Sequence, residues 1–292
     1  MTSRPDARGR TVYSCVLDDT PALWAAFVPW IATLTTLAEV APRDIVVHHV
    51  CALRPRIAEV LGTLGVRTVE SERFGAGPPF LNKVNQCWTD FEDARRVVLT
   101  DVDLVFLRPL PMKQIRQPVA GKVVDFPNPP MTVLGEVLAA AGVGDRGARI
   151  TGAFVADDGT LEYFDTLPGN LNGGLYVLDR EVIPQLGPAW AAKARWLVDH
   201  DLPPGRFFAH SDQVGFALAV ETLGLEAQTL GPAWNLPLHC TPIRHEATAY
   251  ILHHHGLLTP ELTLAGRPHG WAWVDKARAD RAIGDFRRTH GL

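Results

Sequence analysis

Two carboxylates one residue apart, Asp101 and Asp103, stand out in the stretch VVLTDVDLVFLRPL. The run before them, Val97-Val98-Leu99, is apolar enough to be a central strand. In an extended backbone, residues two apart point the same way, so both carboxylates would face one side and Val102 the other. Two such charges at the edge of a buried strand repel unless a cation or a shared proton relieves them. Hard cations such as Mg²⁺ or Mn²⁺ take one or two carboxylates and complete their shell with substrate phosphate oxygens. The pair therefore reads as a divalent-metal site. A solvated acidic turn is the competing reading, and the apolar flanks weigh against it.

Four further groups could take part. His253-His254-His255-Gly256 follows the strand-like AYIL. Neutral imidazole suits Mn²⁺ and softer metals, and alternation would put His253 and His255 on one side with His254 on the other. Taken alone, the run reads equally as solvated or core-satisfied histidines. Asn170-Leu171-Asn172-Gly173-Gly174 leads into LYVLD. Glycine lets backbone approach a ligand closely, and an asparagine amide can both donate to and accept from sugar hydroxyls. An ordinary turn is the alternative. Asp212 and Gln213 sit at a helix start after Ser211, where capping and dipole complementarity would also account for them. Lys83, in LNKVNQ, is an isolated cation on a helix, and a solvated lysine is its plain alternative.

The elements that must position these groups alternate in type. TVYSCVL reads as a strand and the segment after Pro21 as a helix. DIVVHHVCAL is a strand, RIAEVLGTLG a helix ending on Gly65, and VRTVE a short strand. PFLNKVNQCWTDFEDA has helical spacing, and RRVVLT is the strand that delivers the acidic pair. Such alternation implies an α/β fold, a mainly parallel sheet covered by helices on both faces. Right-handed crossovers would place all strand C-termini along one edge, where such sheets bind ligands.

After Pro109 the rhythm changes. VAGKVVDF reads as a strand, a Pro/Gly-rich stretch runs from Pro127 through Arg149, and TGAFVADDGTLEYF reads as a hairpin around Asp158-Gly159. NGGLYVLD is a strand, SDQVGFALAVETLG a helix stopped by Gly224, and Val274 to Arg288 a helix. The expected organisation is a polar segment over 1–10, one α/β domain over 11–257 with an inserted acceptor-side region, and a C-terminal extension over 258–292.

Composition narrows the partners. A formal net charge of −4 leaves no basic footprint for nucleic acid. The four cysteines form no C-x-x-C pair, which excludes zinc-ribbon and thioredoxin readings and suits buried free thiols in a reducing compartment. The polar start MTSRPDARGR does not read as a secretory signal, so a cytoplasmic location is expected. Thr20 to Ala38 carries no charge, but it contains Pro29, Thr33, Thr35 and Thr36 and falls at the lower limit for a membrane span. It reads as a buried helix. Lys276, Arg278, Arg281, Arg287 and Arg288 interleave with Asp275, Asp280 and Asp285. A solvated helix is expected there, with peripheral membrane contact the alternative.

In this order, YSCVLDD, LNKVNQCW, VVLTDVDLVFLRPL, LNGGLYVLD, SDQVGFAL and HHHG resemble the GT-A glycosyltransferases. The specific likeness is to the glycogenin and bacterial galactosyltransferase-like group, glycosyltransferase family eight. The resemblance spreads thinly from Thr11 to Gly256. It implies the GT-A, Rossmann-like fold and transfer with retention from a nucleotide-sugar, usually a UDP-sugar, to a saccharide, lipid-linked or small-molecule acceptor. By the same resemblance, Val16 and Asp18 would line the nucleobase pocket and Lys83 would lie near the diphosphate or donor sugar. Asp101, Asp103 and His253 would ligate Mn²⁺ or Mg²⁺, and Gly256 would complete the H-x-x-G beside the donor. Asn172 would face the sugar, with Gly173 and Gly174 allowing close approach. Asp212 would hold donor hydroxyls. Gln213 would lie where retaining enzymes are searched for a nucleophile, and an amide there implies a front-face route.

One departure is visible. The group commonly follows H-x-x-G with a lysine and then a proline, whereas HHHGLLTP has Thr259 at the lysine position. Lys83, Arg244 and Arg267 are the candidate replacements for gripping phosphate. Acceptor contacts are expected from Pro127 to Pro168. Two other classes share part of the pattern. A haloacid-dehalogenase-type phosphatase also carries D-x-D after a strand, but Leu104 stands where its glycine would. A non-catalytic, metal-dependent sugar-binding protein would keep the same ligands.

Overall fold

The computed structural model describes residues 9–75, 78–91, 93–156, 158–239, 249–265 and 272–292, the side chains of 272–274 excepted. Cys240, Arg244 and Arg267 lie outside the described residues. The elements run β1 Thr11–Leu17, α1 Pro21–Thr36, β2 Ile45–His49, α2 Pro55–Leu64, β3 Arg67–Glu70, β4 Arg96–Thr100, β5 Leu104–Phe106 and β6 Val119–Val123. They continue with α3 Met131–Ala140, β7 Ile150–Val155, β8 Leu161–Thr166, β9 Leu171–Asp179, α4 Ile183–Asp199, α5 Ser211–Leu223 and β10 Ala227–Leu230. The last are β11 Leu236–Pro237, β12 Ile251–His253 and α6 Ala272–His290.

Seven strands form the central sheet in the order β10-β6-β9-β4-β1-β2-β3. All pairings are parallel except those of β9, which runs antiparallel to both β4 and β6. The α/β reading therefore holds with one correction: not every strand ends at the same edge. Because β9 is reversed, it begins where β4 ends, with Thr100 opposite Leu175. That reversal brings the Asn172-Gly173-Gly174 stretch to the carboxylate pair, and the Asp101 N–H donates to the Gly174 carbonyl at 3.0 Å.

Alternate residues of the central strands feed two cores. Tyr13, Cys15 and Leu17 of β1, Val98 of β4 and Val177 of β9 pack with Trp30 and Ile31 of α1 and Ile283 and Phe286 of α6. Val12, Val97, Leu99 and Tyr176 face the other way, onto Trp190 of α4 and Phe216 of α5. Burial on both faces is why these strands read as continuous apolar runs rather than alternating ones. The threonines of the uncharged segment have inward jobs. The Thr33 hydroxyl donates to the Pro29 carbonyl at 2.7 Å and accepts the Phe106 N–H at 3.0 Å. Among the described residues, no helix is long and apolar enough to cross a membrane.

Several elements differ from expectation. Residues Pro79–Trp88 form successive 3₁₀ turns rather than an α-helix, and Leu81 through Cys87 are all buried. The Pro/Gly-rich stretch contains α3. The sequence reading leaves out α4, whose Pro184 falls in the first turn, where a missing N–H costs nothing, and whose Pro188 lies within. β5, β11 and β12 form a separate small sheet of two- and three-residue strands, too short to produce a pattern.

Candidate functional site

At the end of β4 the Thr100 hydroxyl accepts from the Trp30 indole N–H and donates to the Ser14 carbonyl, each at 3.0 Å. Beyond this anchor the chain bends until β5 begins at Leu104. Val102 is 2% exposed and packs in the core, reaching only the first lobe of the cleft, while Asp101 and Asp103 line both lobes. The expected division of faces holds, although the backbone is bent rather than extended.

The repulsion between the carboxylates is relieved by two separate partners. The Lys83 ammonium lies 2.9 Å from Asp101 and 2.8 Å from Asp212 and donates to the Gly173 carbonyl at 3.2 Å. Burial pulls the lysine pKa down, but the Asp101 and Asp212 charges outweigh it and hold the ammonium well above its ordinary value. Asp101 is raised, because burial there exceeds the relief from Lys83. Lys83 is therefore neither a solvated lysine nor a free cation for phosphate.

Asp103 has a different partner. β12 pairs antiparallel with β5, placing His253 opposite Leu104, and the His254 N–H donates to the Asp103 carbonyl at 3.0 Å. This ladder carries His253 Nε2 to 3.2 Å from Asp103 Oδ1. Burial works against the charge on each, yet the pairing prevails: His253 is raised and Asp103 is lowered. The approach is a poor hydrogen bond. Asp103 Oδ1 and His253 Nδ1 are buried without hydrogen-bond partners. The histidine run alternates as expected, with the His253 and His255 rings stacked at 3.5 Å and His254 fully buried.

Among the described residues, no group of three His, Cys, Asp or Glu could hold a metal ion. The two-residue pair is compatible with one. Neighbouring ligands of an octahedral Mg²⁺ with bonds near 2.1 Å lie roughly 3.0 Å apart, and Asp103 Oδ1 and His253 Nε2 stand at 3.2 Å with the oxygen otherwise unpartnered. Asp101 has Lys83 at both of its oxygens instead.

The start of β9 and the start of α5 interlock beside this pair. Gly173 N–H donates to Gln213 Oε1 at 2.7 Å, and Trp190 ties α5 by donating to the Asp212 carbonyl at 2.8 Å. Ser211 does not cap the helix; His210 occupies that position, its ring meeting the Gln213 amide at 3.3 Å rather than capping a backbone N–H. A Cβ on Gly174 would stand 2.7 Å from the His253 ring, and one on Gly173 would stand 2.9 Å from Lys83 Nζ. The close approach these glycines permit is thus made by the protein's own site residues. Both ends of the Asn172 amide are engaged: one N–H donates to Asp125 at 2.6 Å, and its oxygen accepts from Gly174 N–H at 2.9 Å and Asn235 at 3.0 Å.

Val16, Asp18, Lys83, Asp101, Asp103, Asn172, Gly173, Gly174, Asp212, Gln213, His253 and Gly256 line one cleft of two lobes. The first, about 320 Å³, is walled by Val16, Asp18, Leu23, Pro79, Asn82 and Gly256. The second, about 290 Å³, is walled by Asn172, Gly173, Gly174, Asp212, Gln213 and His253. Phe80, Lys83, Asp101 and Asp103 belong to both, so the acidic pair stands at the junction. Each lobe is at the small end for a ligand pocket, and together they suit an elongated ligand. Asp18 is occupied by its neighbours: Arg73 grips both its oxygens and Asn82 donates at 2.9 Å. Thr259 turns its hydroxyl to Thr263 at 2.8 Å.

Sequence reading missed Asp125, Asn235, Phe80, Arg73 and the imidazoles of His210 and His239. Asp125 carried a usable signal, a carboxylate just after the apolar strand β6, as Asp101 follows β4. Phe80 and His210 sit on 3₁₀ segments and the others come from loops, where no periodicity marks them.

No protein-family model matches the sequence, and no curated protein matches it. Solved glycosyltransferases nevertheless share this architecture over most of the chain, and the fold is the GT-A fold. The galactosyltransferase LgtC, in complex with donor and acceptor sugar analogs, aligns with a TM-score of 0.58 at 11% identity, covering 95% of this chain and 99% of that one. Mouse xyloside xylosyltransferase 1 aligns with 0.51 at 15% identity, covering 83% and 96%. The glycosyltransferase GlyE of Streptococcus pneumoniae aligns with 0.53 at 11%, covering 97% and 64%. At such identities the likeness establishes the fold.

Proposed function

We propose that this chain is a glycosyltransferase that moves a sugar from a nucleotide-sugar, a UDP-sugar, to a hydroxyl-bearing acceptor with retention of configuration. The observation that carries the reading is the convergence on one two-lobed cleft of the first strand, the lysine turn, the acidic pair, the start of β9, the start of α5 and the histidine run. The first lobe takes the nucleoside against Val16 and Asp18, and the second takes the sugar. The diphosphate spans the junction at Asp101 and Asp103.

Asp103 and His253 would hold a divalent cation, Mn²⁺ or Mg²⁺, with Asp101 as a second carboxylate if Lys83 yields it. When bound, the cation supplies Lewis-acid stabilisation of the leaving diphosphate, worth several kcal/mol. In the reaction, the bond from the anomeric carbon to the phosphate oxygen breaks, and the acceptor oxygen bonds that carbon on the same face. The acceptor proton passes to the departing phosphate oxygen. Asp212, held by Lys83, is placed to accept from donor hydroxyls.

The side chains themselves favour the front-face route over a covalent intermediate. Gln213 already accepts from Gly173 N–H. Each carboxylate in the sugar lobe is also engaged: Asp101 and Asp212 with Lys83, Asp103 with His253, and Asp125 with Lys122 and Asn172. None of these four is an unpaired charge, which favours the front-face route.

The test is a thermal-shift panel of nucleotides and nucleotide-sugars with and without Mn²⁺, followed by measurement of free UDP. Ligands that bind only the native state raise apparent stability by mass action. A Mn²⁺-dependent rise for uridine nucleotides with slow UDP release is expected. No shift with any nucleotide would overturn the reading.

A further inference from the structure

A third cavity, of about 330 Å³, lies between the β7–β8 hairpin and the end of the β6–β10 edge. Its wall is continuous with the sugar lobe, because Val124, Asp125 and Phe126 line both. Elsewhere it is faced by Phe154, Leu230, Pro232 and Pro237. Phe126 packs edge-on against Phe154 at 5.3 Å, and Phe154 rests on Phe164 at 6.1 Å, so the aromatic wall is braced by the hairpin. The two charged side chains present cancel. Lys122 pairs with one oxygen of Asp125, and the other oxygen accepts from Asn172 at 2.6 Å. The cavity therefore offers carbon surface rather than charge.

We propose that this cavity seats the apolar part of the acceptor, an aryl or alkyl group attached close to the hydroxyl that is glycosylated. The inference rests on the reading of the adjoining lobe as the donor-sugar site. An acceptor hydroxyl must reach the anomeric carbon in that lobe, and the body of the acceptor must then occupy adjoining space. A second sugar ring placed here would shed water from its hydroxyls and, beyond Thr151 and Thr229, meet mostly carbon. An aryl or alkyl group loses nothing on leaving water and gains contact with Phe126 and Phe154. The hairpin is the part of the chain that interrupts the α/β rhythm, and in this reading it serves as the outer wall of the acceptor subsite.

Isothermal titration of the full chain with phenyl and butyl glycosides, each against the corresponding free sugar, tests the assignment without needing turnover. The glycosides are expected to bind at least about tenfold more tightly than the free sugars, a difference of about 1.4 kcal/mol. Gly231 lines the cavity, has an ordinary φ of −65°, and has no atom within 4 Å of where a Cβ would stand. Gly231→Trp should therefore erase the advantage while leaving nucleotide-induced stabilisation unchanged. Equal binding of glycoside and free sugar, or an advantage that survives Gly231→Trp, overturns the proposal. Should that variant not fold, the attachment point of a photoreactive aryl-azide glycoside decides: label within β7 or 229–232 supports it, and label elsewhere overturns it. Failure of the donor reading would appear separately, as absence of stabilisation by any nucleotide-sugar with no acceptor present.

Discussion

At its start β4 carries Arg96, and just past its end stand Asp101 and Asp103. The Arg96 guanidinium donates to Asp179 at 2.9 Å and to the carbonyls of Met112 and Ile115 at 2.6 and 2.9 Å. Every nitrogen of that buried group has an acceptor. At the other end Asp103 Oδ1 and His253 Nδ1 are left without hydrogen bonds, and Lys83 is shared between two carboxylates. Buried polar groups are normally satisfied, so the saturated cluster reads as structure, and the unsaturated one, because it lines the cleft, reads as capacity for a ligand. One strand thus has a closed end that holds the sheet together and an open end that the proposed function reads as the binding end.

The sharpest way to break this comparison is to truncate both ends. Asp103→Ala should cut UDP release from a UDP-sugar with Mn²⁺ by about 10³-fold, as for loss of a principal electrostatic stabiliser. Its melting temperature should fall only modestly, since the His253 left behind can shed its proton once its carboxylate partner is gone. A variant with full turnover would show that the open end is not the reactive one. Arg96→Met should do the reverse. It strands Asp179 and two carbonyls and should cost about 3–5 kcal/mol in denaturant unfolding, with kcat per folded molecule unaltered.

His48 sharpens the rule from a third position. It is buried near the binding edge but saturated, with Ser14 at 3.1 Å, the Cys15 carbonyl at 3.3 Å and Thr89 at 2.5 Å. Burial, against the Cys15 bond and helped by Arg67 and His49, lowers its pKa to about 4. Because the folded value lies below the unfolded one, its stabilisation is complete above about pH 6.5 and is lost as pH falls toward 4. Over that window His48→Gln should flatten the acid limb of unfolding free energy by up to about 3 kcal/mol. An unchanged limb would mean the ring is not held neutral.

The smallest effect expected is that of Gly174→Ala. The added methyl meets His253 at 2.7 Å and must push the ring from Asp103. Overpacking of this kind costs about 1–3 kcal/mol, and affinity for Mn²⁺, followed by titration, should fall with it. Unchanged Mn²⁺ affinity would remove His253 from the ligand set.

Much of the site is legible in the sequence. Asp101, Asp103, Lys83, Gly173, Gly174, Asp212, Gln213 and His253 all reach one cleft, because each sits at or beside an element whose apolar pattern marks it. What the sequence does not reveal is who partners whom. Lys83 reads as an isolated helical cation, yet it sits on 3₁₀ turns between two carboxylates. Asn172 reads as a group free for sugar, yet Asp125 and Asn235 take up its amide. Those partners come from distant segments with no periodicity to announce them.

By itself the sequence determined the strands and helices of the N-terminal half apart from the 3₁₀ segment Pro79–Trp88, the two-sided burial of the sheet and the acidic pair at the end of a strand. These follow from local rules: apolar runs bury, alternation divides faces, and Gly65 and Gly224 stop helices in left-handed conformations. Tertiary structure alone decided that β9 runs backwards, that β12 lays His253 against Asp103, and that the hairpin walls a mostly apolar cavity beside the second lobe. Strand direction and pairing depend on contacts between residues far apart in the chain, and no local preference encodes them.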